Sequence, residues 1–506
     1  MTELQWTEVD GVTTVWAEAS APFRAALYFR TGRADERLVT HGQTHLIEHL
    51  AFSALGDTDS NQNGYVAGTE TAFYMTGRQG DVTRFLEQIC KALTSLPSER
   101  LEAEKRILAA ENSTRTHNVY ENLLMWRYGA MGYGLYAMPE YGIRAANFDE
   151  LQEYAAERFT KENAILWLSG PPPADLSLEL PHGKKLRLSP LKPIHSTFPS
   201  FLVDDDCGGV AVGTTVARVS ASSVFIEIAQ RRLRRRLRMD QAISYAPSIA
   251  YWPLNAKLAH LAIYADSHGE HREELAKIFG EAFEELSEIN ESEIEEAQRQ
   301  VLEGWIGTHS LSEADRMVNE LHRAAMDWIH DKEFKSLREL AKGVSLLTKE
   351  DICEYWRQMK TTAMFALPGV AKVQASFGQR APISCVPRVA GELIRSIDAP
   401  LDKSRLVSGP SGVSLLYSDG TDITVRYDRL AAIIDFSDGG IYLIGEDACW
   451  IAVEPTLWRA GRRVCRQIRA RSPDHLVVEE HTRSADEIPR PSTTGWQRFV
   501  ARLTLR

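Results

Sequence analysis

The sequence predicts an α+β fold built from two α+β units of similar plan, followed by a β-rich unit. Three observations carry this. Strand-like alternation and helix-like periodicity are interspersed through residues 1–180. After a proline-rich stretch, a similar succession of strands and helices returns over residues 181–385. From 386 to 506, short apolar runs are cut by Asp-Gly and Gly-Gly turns.

Taken in order, GVTTVWAEA and RAALYFRTG alternate as strands. HGQTHLIEHLAFSAL sets Leu46, Ile47 and Leu50 on one side of a helix. NGYVAGTETAFYMTG, rich in Thr, aromatic and Gly residues, reads as strands around a turn. DVTRFLEQICKALTSL repeats apolar residues at Val82, Phe85, Leu86, Ile89 and Leu93, a helical period. ERLEAEKRILAAENSTR continues as a second helix after Pro97, and ENAILWLSG returns to strand. The linker GPPPADLSLELPHGKKLRLSPLKP holds six prolines and two glycines and cannot sustain regular structure. Beyond it, GVAVGTTVAR, ISYAPSIAYWPL, LAHLAIYADS and AMFALPG read as strands. ASSVFIEIAQRRLRRRLRM, EELAKIFGEAFEEL and SEIEEAQRQVLEGWIGTH read as helices. In the tail, GVSLLYSDG, DITVRYDRLAAIIDFSDG, GIYLIGEDA and CWIAVE are strands, and LWRAGRRVCRQIRA is an amphipathic helix. Strands closed by a C-terminal helix resemble, in pattern only, a pleckstrin-homology-like barrel.

At 506 residues the chain is too long for one core. Its net charge of −11, from 58 basic and 69 acidic residues, disfavours a nucleic-acid partner. The one basic run, Arg231 to Arg238, reads as a solvated helix face. Six scattered cysteines with no CxxC pair read as reduced thiols. The start, MTELQWTEVDGVTTVW, has no apolar targeting core, and no stretch of 18 apolar residues occurs. A cytoplasmic address with no membrane span is the expectation.

His45-Leu46-Ile47-Glu48-His49 is an H-x-x-E-H motif within the first predicted helix. Positions i and i+4 share one face, so both imidazoles can reach one metal ion. Glu48 is placed to contact a water on that metal rather than the metal. Zinc brings the pKa of such a water toward about 7, and the glutamate takes its proton as the hydroxide attacks a carbonyl. The order mirrors H-E-x-x-H and is the inverted-zincin signature. Two surface histidines on an amphipathic helix would be the plain alternative, and Leu46, Ile47 and Leu50 speak against it. A catalytic zinc site needs a third protein ligand and an open fourth position. Glu104 and Glu111 are seven residues apart, two helical turns, and face the same way. Glu111, beside Ala109 and Ala110, is read as the metal ligand and Glu104 as its support; solvated helix glutamates are the alternative.

GRADERLVTHGQTHLIEHLAF resembles the zinc region of the pitrilysin, insulin-degrading enzyme and mitochondrial processing peptidase family of inverted zincins. NGYVAGTETAFY resembles the family's Asn-Ala-x-Thr edge strand, with Asn63 in place, Gly64 for the usual Ala and Val66 for the usual Thr. EKRILAAE resembles its ligand helix, and RMDQAISY its Arg–Tyr motif, with Arg238 and Tyr245 seven apart. The likeness spans about residues 10–375 and excludes the tail. Only 13 residues separate His49 from Asn63, fewer than is usual, which puts the cavity wall beside the metal in question.

The resemblance implies two homologous α+β domains forming half of a clam-shell, two halves enclosing a chamber that admits unfolded peptides. One half per chain implies a homodimer, with a heterodimer with a degenerate homologue as the alternative. Arg238 and Tyr245 would serve the opposite subunit's site, holding the substrate carbonyl and oxyanion. Asn63, Gly64 and the strand that carries them would pair with substrate main chain. The expected function is a zinc (Zn2+)-dependent endopeptidase acting on peptides, of the leader- or fragment-processing kind. A non-catalytic family member acting as a binding or scaffolding subunit is the alternative, and hydrolysis of a non-peptide amide is another. The tail carries no catalytic motif and reads as recruitment or dimer support, its removal sparing zinc binding.

Overall fold

The computed structural model describes residues 3–56, 61–114, 118–245, 247–266, 271–306, 312–369, 377–399, 401–480 and 483–492. The predicted strands of the first unit are β2 (Val12–Trp16), β3 (Phe23–Phe29), β4 (Gln62–Val66), β5 (Thr71–Gly77) and β6 (Ala164–Leu168), preceded by an unpredicted β1 (Gln5–Val9). They form one sheet in the order β1-β2-β6-β3-β5-β4, so β4 is an edge. Its helices are α1 (Gln43–Ser53), α2 (Gln79–Thr94), α3 (Leu101–Thr114), α4 (Val119–Tyr128), α5 (Gly142–Ala145) and α6 (Phe148–Arg158). The predicted stripe of α2, Val82 to Leu93, is buried together with Leu46, Ile47 and Leu50 of α1 and Leu27, Phe29 and Phe73 of the sheet. The helix carrying the H-x-x-E-H motif is thus anchored through its apolar neighbours.

The second unit repeats this plan in its topology. Its strands are β7 (Ser200–Val203), β8 (Gly209–Ala217), β9 (Ser248–Pro253), β10 (Leu258–Asp266), β11 (Met364–Leu367) and β12 (Gln379–Arg380), in the order β12-β7-β11-β8-β10-β9. β7 runs parallel to β11 as β2 does to β6, and β8 is antiparallel to both its neighbours as β3 is. α7 (Ala221–Leu233) follows β8 as α1 follows β3. The sequence reading placed two further helices here, and α8 (Arg272–Glu285) and α9 (Glu291–Ile306) match them. Three more are present: α10 (Glu313–Ile329), α11 (Leu337–Ser345) and α12 (Lys349–Thr361). Although α10 lies in the second unit by sequence, its Met317, Leu321, Ala325 and Ile329 pack on Tyr28 and Trp167 of the first sheet. The first sheet is therefore covered on both faces. The linker between β6 and β7 contains no helix or strand, as its prolines dictate.

The tail holds β13 (Glu392–Arg395), β14 (Arg405–Ser408), β15 (Gly412–Leu416) and β16 (Asp422–Arg426) in one antiparallel sheet. β17 (Leu430–Phe436), β18 (Ile441–Gly445) and β19 (Trp450–Val453) form a second, which β20 (Val477–Glu480) joins parallel to β17. α13 (Gly461–Arg471) closes the barrel with Val464 and Ile468 in its core. The tail is thus the expected β-rich unit, with β20 as an added strand after the helix. Among the described residues no helix is long and apolar enough to cross a membrane.

Candidate metal centre

The start of α1 is fixed before its histidines are. Gly42, at φ +96°, occupies the cap position, and a Cβ there would fall 2.7 Å from Glu140 Cβ. The Glu36 carboxylate accepts from Gly42 N–H at 2.9 Å, Thr44 N–H at 2.8 Å and the His41 ring at 2.8 Å. These bonds satisfy amides that a helix leaves open and set a negative charge at its positive end.

One turn apart on α1, the rings of His45 and His49 meet edge to face with centroids 5.0 Å apart. Glu111 of α3 brings Oε1 to 3.9 Å from His45 Nε2 and Oε2 to 3.7 Å from His49 Nε2. One ligand atom from each of the three lies within 4.8 Å of the others. A tetrahedral ion with bonds of about 2.1 Å holds its ligands roughly 3.4 Å apart, so this set needs only a small contraction.

The outer ring nitrogens support the same arrangement. His49 Nδ1 lies 3.4 Å from Glu104 Oε2, and Glu104 also accepts from Arg100 at 2.7 Å. Glu104 thus occupies the supporting position read from the sequence. His45 Nδ1 lies 3.2 Å from both oxygens of Glu140, a residue the sequence reading missed. Glu140 also accepts from Asn112 at 2.9 Å and pairs with Arg33 at 3.3 Å. Burial works against its charge, but the His45 hydrogen bond and the Arg33 charge outweigh that and hold its carboxyl well below the usual range. For His45, burial disfavours the cation and Glu140 overcomes it, raising the pKa; for His49, burial and the neighbouring His45 lower it. A carboxylate thus lies behind each Nδ1, the arrangement that suits a histidine binding a metal through Nε2.

Glu48 is buried, its Oε2 3.8 Å from His49 Nε2, outside the three-ligand set. Burial pushes its carboxyl up to about 7, with His45 opposing and Glu111 and Glu104 adding to the rise. Edge strand β4 passes directly beside it. A Cβ on Gly64 would stand 2.5 Å from Glu48 Oε1 and 2.5 Å from Phe52 Cε2, and 3.1 Å from the Ala72 carbonyl oxygen. Gly64→Ala should destabilise the fold by about 1–3 kcal/mol through overpacking, read as a lower denaturant midpoint. An unchanged midpoint would mean that β4 yields freely. Asn63 is exposed on that strand and accepts the Gly64 N–H at 2.9 Å. Residues 57–60, within the shortened connection to β4, lie outside the described residues.

Arg238 and Tyr245 lie elsewhere. α7 runs on into a π-helical turn, Arg234–Asp240, and Arg238 stacks over the Tyr245 ring at 5.0 Å. Tyr245 is 69% exposed, and its N–H donates to Asp266 at 3.1 Å. Neither lines the cavity of about 370 Å³ at His45 and Glu111, whose walls also include Arg33, Val66, Asn112 and Tyr136.

Among solved structures, the chain is similar to a protease from Helicobacter pylori at 14% identity and TM-score 0.60, over 73% of this chain and 100% of that one. A peptidase M16 inactive domain from Pseudomonas fluorescens matches at 15% identity and TM-score 0.59, over 73% and 99%. The first half of the periplasmic protease PqqL from Escherichia coli matches at 14% identity and TM-score 0.57, over 72% and 91%. The fold is that of an M16 peptidase half. Against whole PqqL the match covers 84% of this chain but 56% of that one, at 12% identity and TM-score 0.59. No protein-family model and no curated protein matches the sequence. At these identities the likeness is one of fold.

Proposed function

We propose that this chain is a zinc-dependent endopeptidase acting on unfolded peptides, with His45, His49 and Glu111 as ligands and Glu48 as general base. The observation that carries the reading is the convergence of three ligand atoms, with a carboxylate behind each imidazole. Zinc, when bound, supplies the Lewis acid that polarises the scissile carbonyl and acidifies the attacking water. Glu48, reluctant to ionise in its buried slot, accepts the water's proton at a carboxylate oxygen and passes it to the leaving amine. The open edge of β4 pairs with substrate main chain, leading a peptide past Asn63 and Gly64 toward Glu48. Fit to one half of PqqL supports a second copy as the other half, its Arg238 and Tyr245 donating to the substrate oxyanion. Leader or fragment processing is the corresponding role.

The experiment is metal analysis combined with a mixed peptide library read by mass spectrometry. One zinc per chain and cleaved peptides are expected. His49→Ala should lose the zinc on dialysis, since two ligands do not hold it; stoichiometric zinc in that variant would place the site elsewhere. Likeness to an inactive M16 domain favours one second reading, a binding or scaffolding subunit. A zinc-loaded wild-type chain that cleaves nothing would select it.

A further inference from the structure

Glu140, the partner of His45, sits in an irregular stretch between α4 and α5, with no strand or α-helix of its own to hold it. Asn112 and Arg33 hold its carboxylate, and the tail packs against the residues on either side of it. Met138 and Tyr141, on either side of Glu140, both belong to a hydrophobic cluster that includes Ala432, Ile434, Ile444 and Val478 of the second tail sheet. At the start of the stretch, Ala130 N–H donates to the Glu446 carbonyl at 2.9 Å. Gly129, at φ +72°, lies so close to that carbonyl that a side chain has no room. After it, Arg144 of α5 pairs with Glu480 of β20. Leu38 and Val39, just before α1, join the same cluster.

The tail sheet is thus buried on both faces. Ile433 and Leu443 point into the barrel's own core, while Ile434 and Ile444 point into the first unit. A strand buried on both faces needs a continuous apolar run rather than alternation, which is what Leu430-Ala431-Ala432-Ile433-Ile434 provides.

We propose that the C-terminal domain is a working part of the metal centre. By gripping residues 129–141 it presses Glu140 against His45 and so sets the metal affinity. This rests on the zinc reading above, and it reverses the expectation that removing the tail spares zinc binding. Glu140 is a positioning residue, and Ile434 acts through it.

The test is a double-mutant cycle in the full chain, read as zinc affinity by chelator competition. Glu140→Gln should weaken zinc about 10- to 100-fold. Ile434→Ala, which leaves the barrel core untouched, should weaken it about 3- to 10-fold. The double variant should be no weaker than Glu140→Gln alone, because Ile434 has nothing left to position. Amide exchange in metal-free protein should quicken over residues 129–141 in Ile434→Ala while β3 and β5 stay protected. Should Ile434→Ala fail to fold, Ile434→Val takes its place in the cycle. Leu393→Ala, on exposed β13, should change nothing. Losses that multiply in the double variant, or unchanged affinity in the Ile434 variant, would overturn the inference alone. A wild-type chain that binds no zinc would overturn the metal reading and the inference with it.

Discussion

Glu48→Gln should keep one zinc per chain and lose about 10²-fold or more in turnover. The amide has the carboxylate's shape, so the slot beside Gly64 and Phe52 stays filled. The proposed zinc ligands are His45, His49 and Glu111, and Glu48 is not among them. What disappears is the proton acceptor. A base works best with a pKa near the operating pH, where it takes a proton from water and still releases it to the leaving amine. In the metal-free chain, burial pushes the Glu48 carboxyl up to about 7. Metal content and initial rates, measured on the same preparation, decide the outcome. Loss of zinc would make Glu48 a ligand, and undiminished turnover would put the base elsewhere.

The part of the site legible in the sequence is the part set by helix geometry. His45, Glu48 and His49 occupy fixed positions on α1 whatever the rest of the chain does, and Glu104 and Glu111 share a face of α3 for the same reason. That both faces meet at one point follows from Leu46, Ile47 and Leu50 sinking into the first core. Glu140 carries no comparable signal. It lies 95 residues from His45 in the sequence, in Met138-Pro139-Glu140-Tyr141, where no period relates it to a ligand. Its partners Asn112 and Arg33 and the tail residues packed beside it are all distant in sequence, so a local reading does not reach them. The same limit applies to α10. Its apolar stripe shows a helix with one buried face, but not that the face covers the first sheet rather than the second. In the tail, the apolar run from Leu430 to Ile434 is the sign of a strand buried on both sides, and it does not say what covers the outer face.

Two chains, each nearly inactive alone, should recover activity when mixed. Charge developing on the substrate oxygen is only partly covered by the metal, and one well-placed donor contributes roughly 3–4 kcal/mol to the barrier. In this chain Arg238 and Tyr245 stack on each other at the surface of the second unit, away from the cavity at His45 and Glu111. Tyr245 is 69% exposed, as a group serving another subunit would be in an isolated chain. Removing its hydroxyl in Tyr245→Phe should cost about 10²- to 10³-fold in turnover while leaving zinc in place. Mixed with Glu48→Gln at equal amounts, half of the dimers pair unlike chains. Each such dimer holds one site with both Glu48 and Tyr245, so about a quarter of wild-type activity should return by random pairing. Rates are compared after subunit exchange has been verified by native mass spectrometry. If exchanged dimers stay at the level of the parent variants, Tyr245 acts on its own chain or takes no part in the reaction.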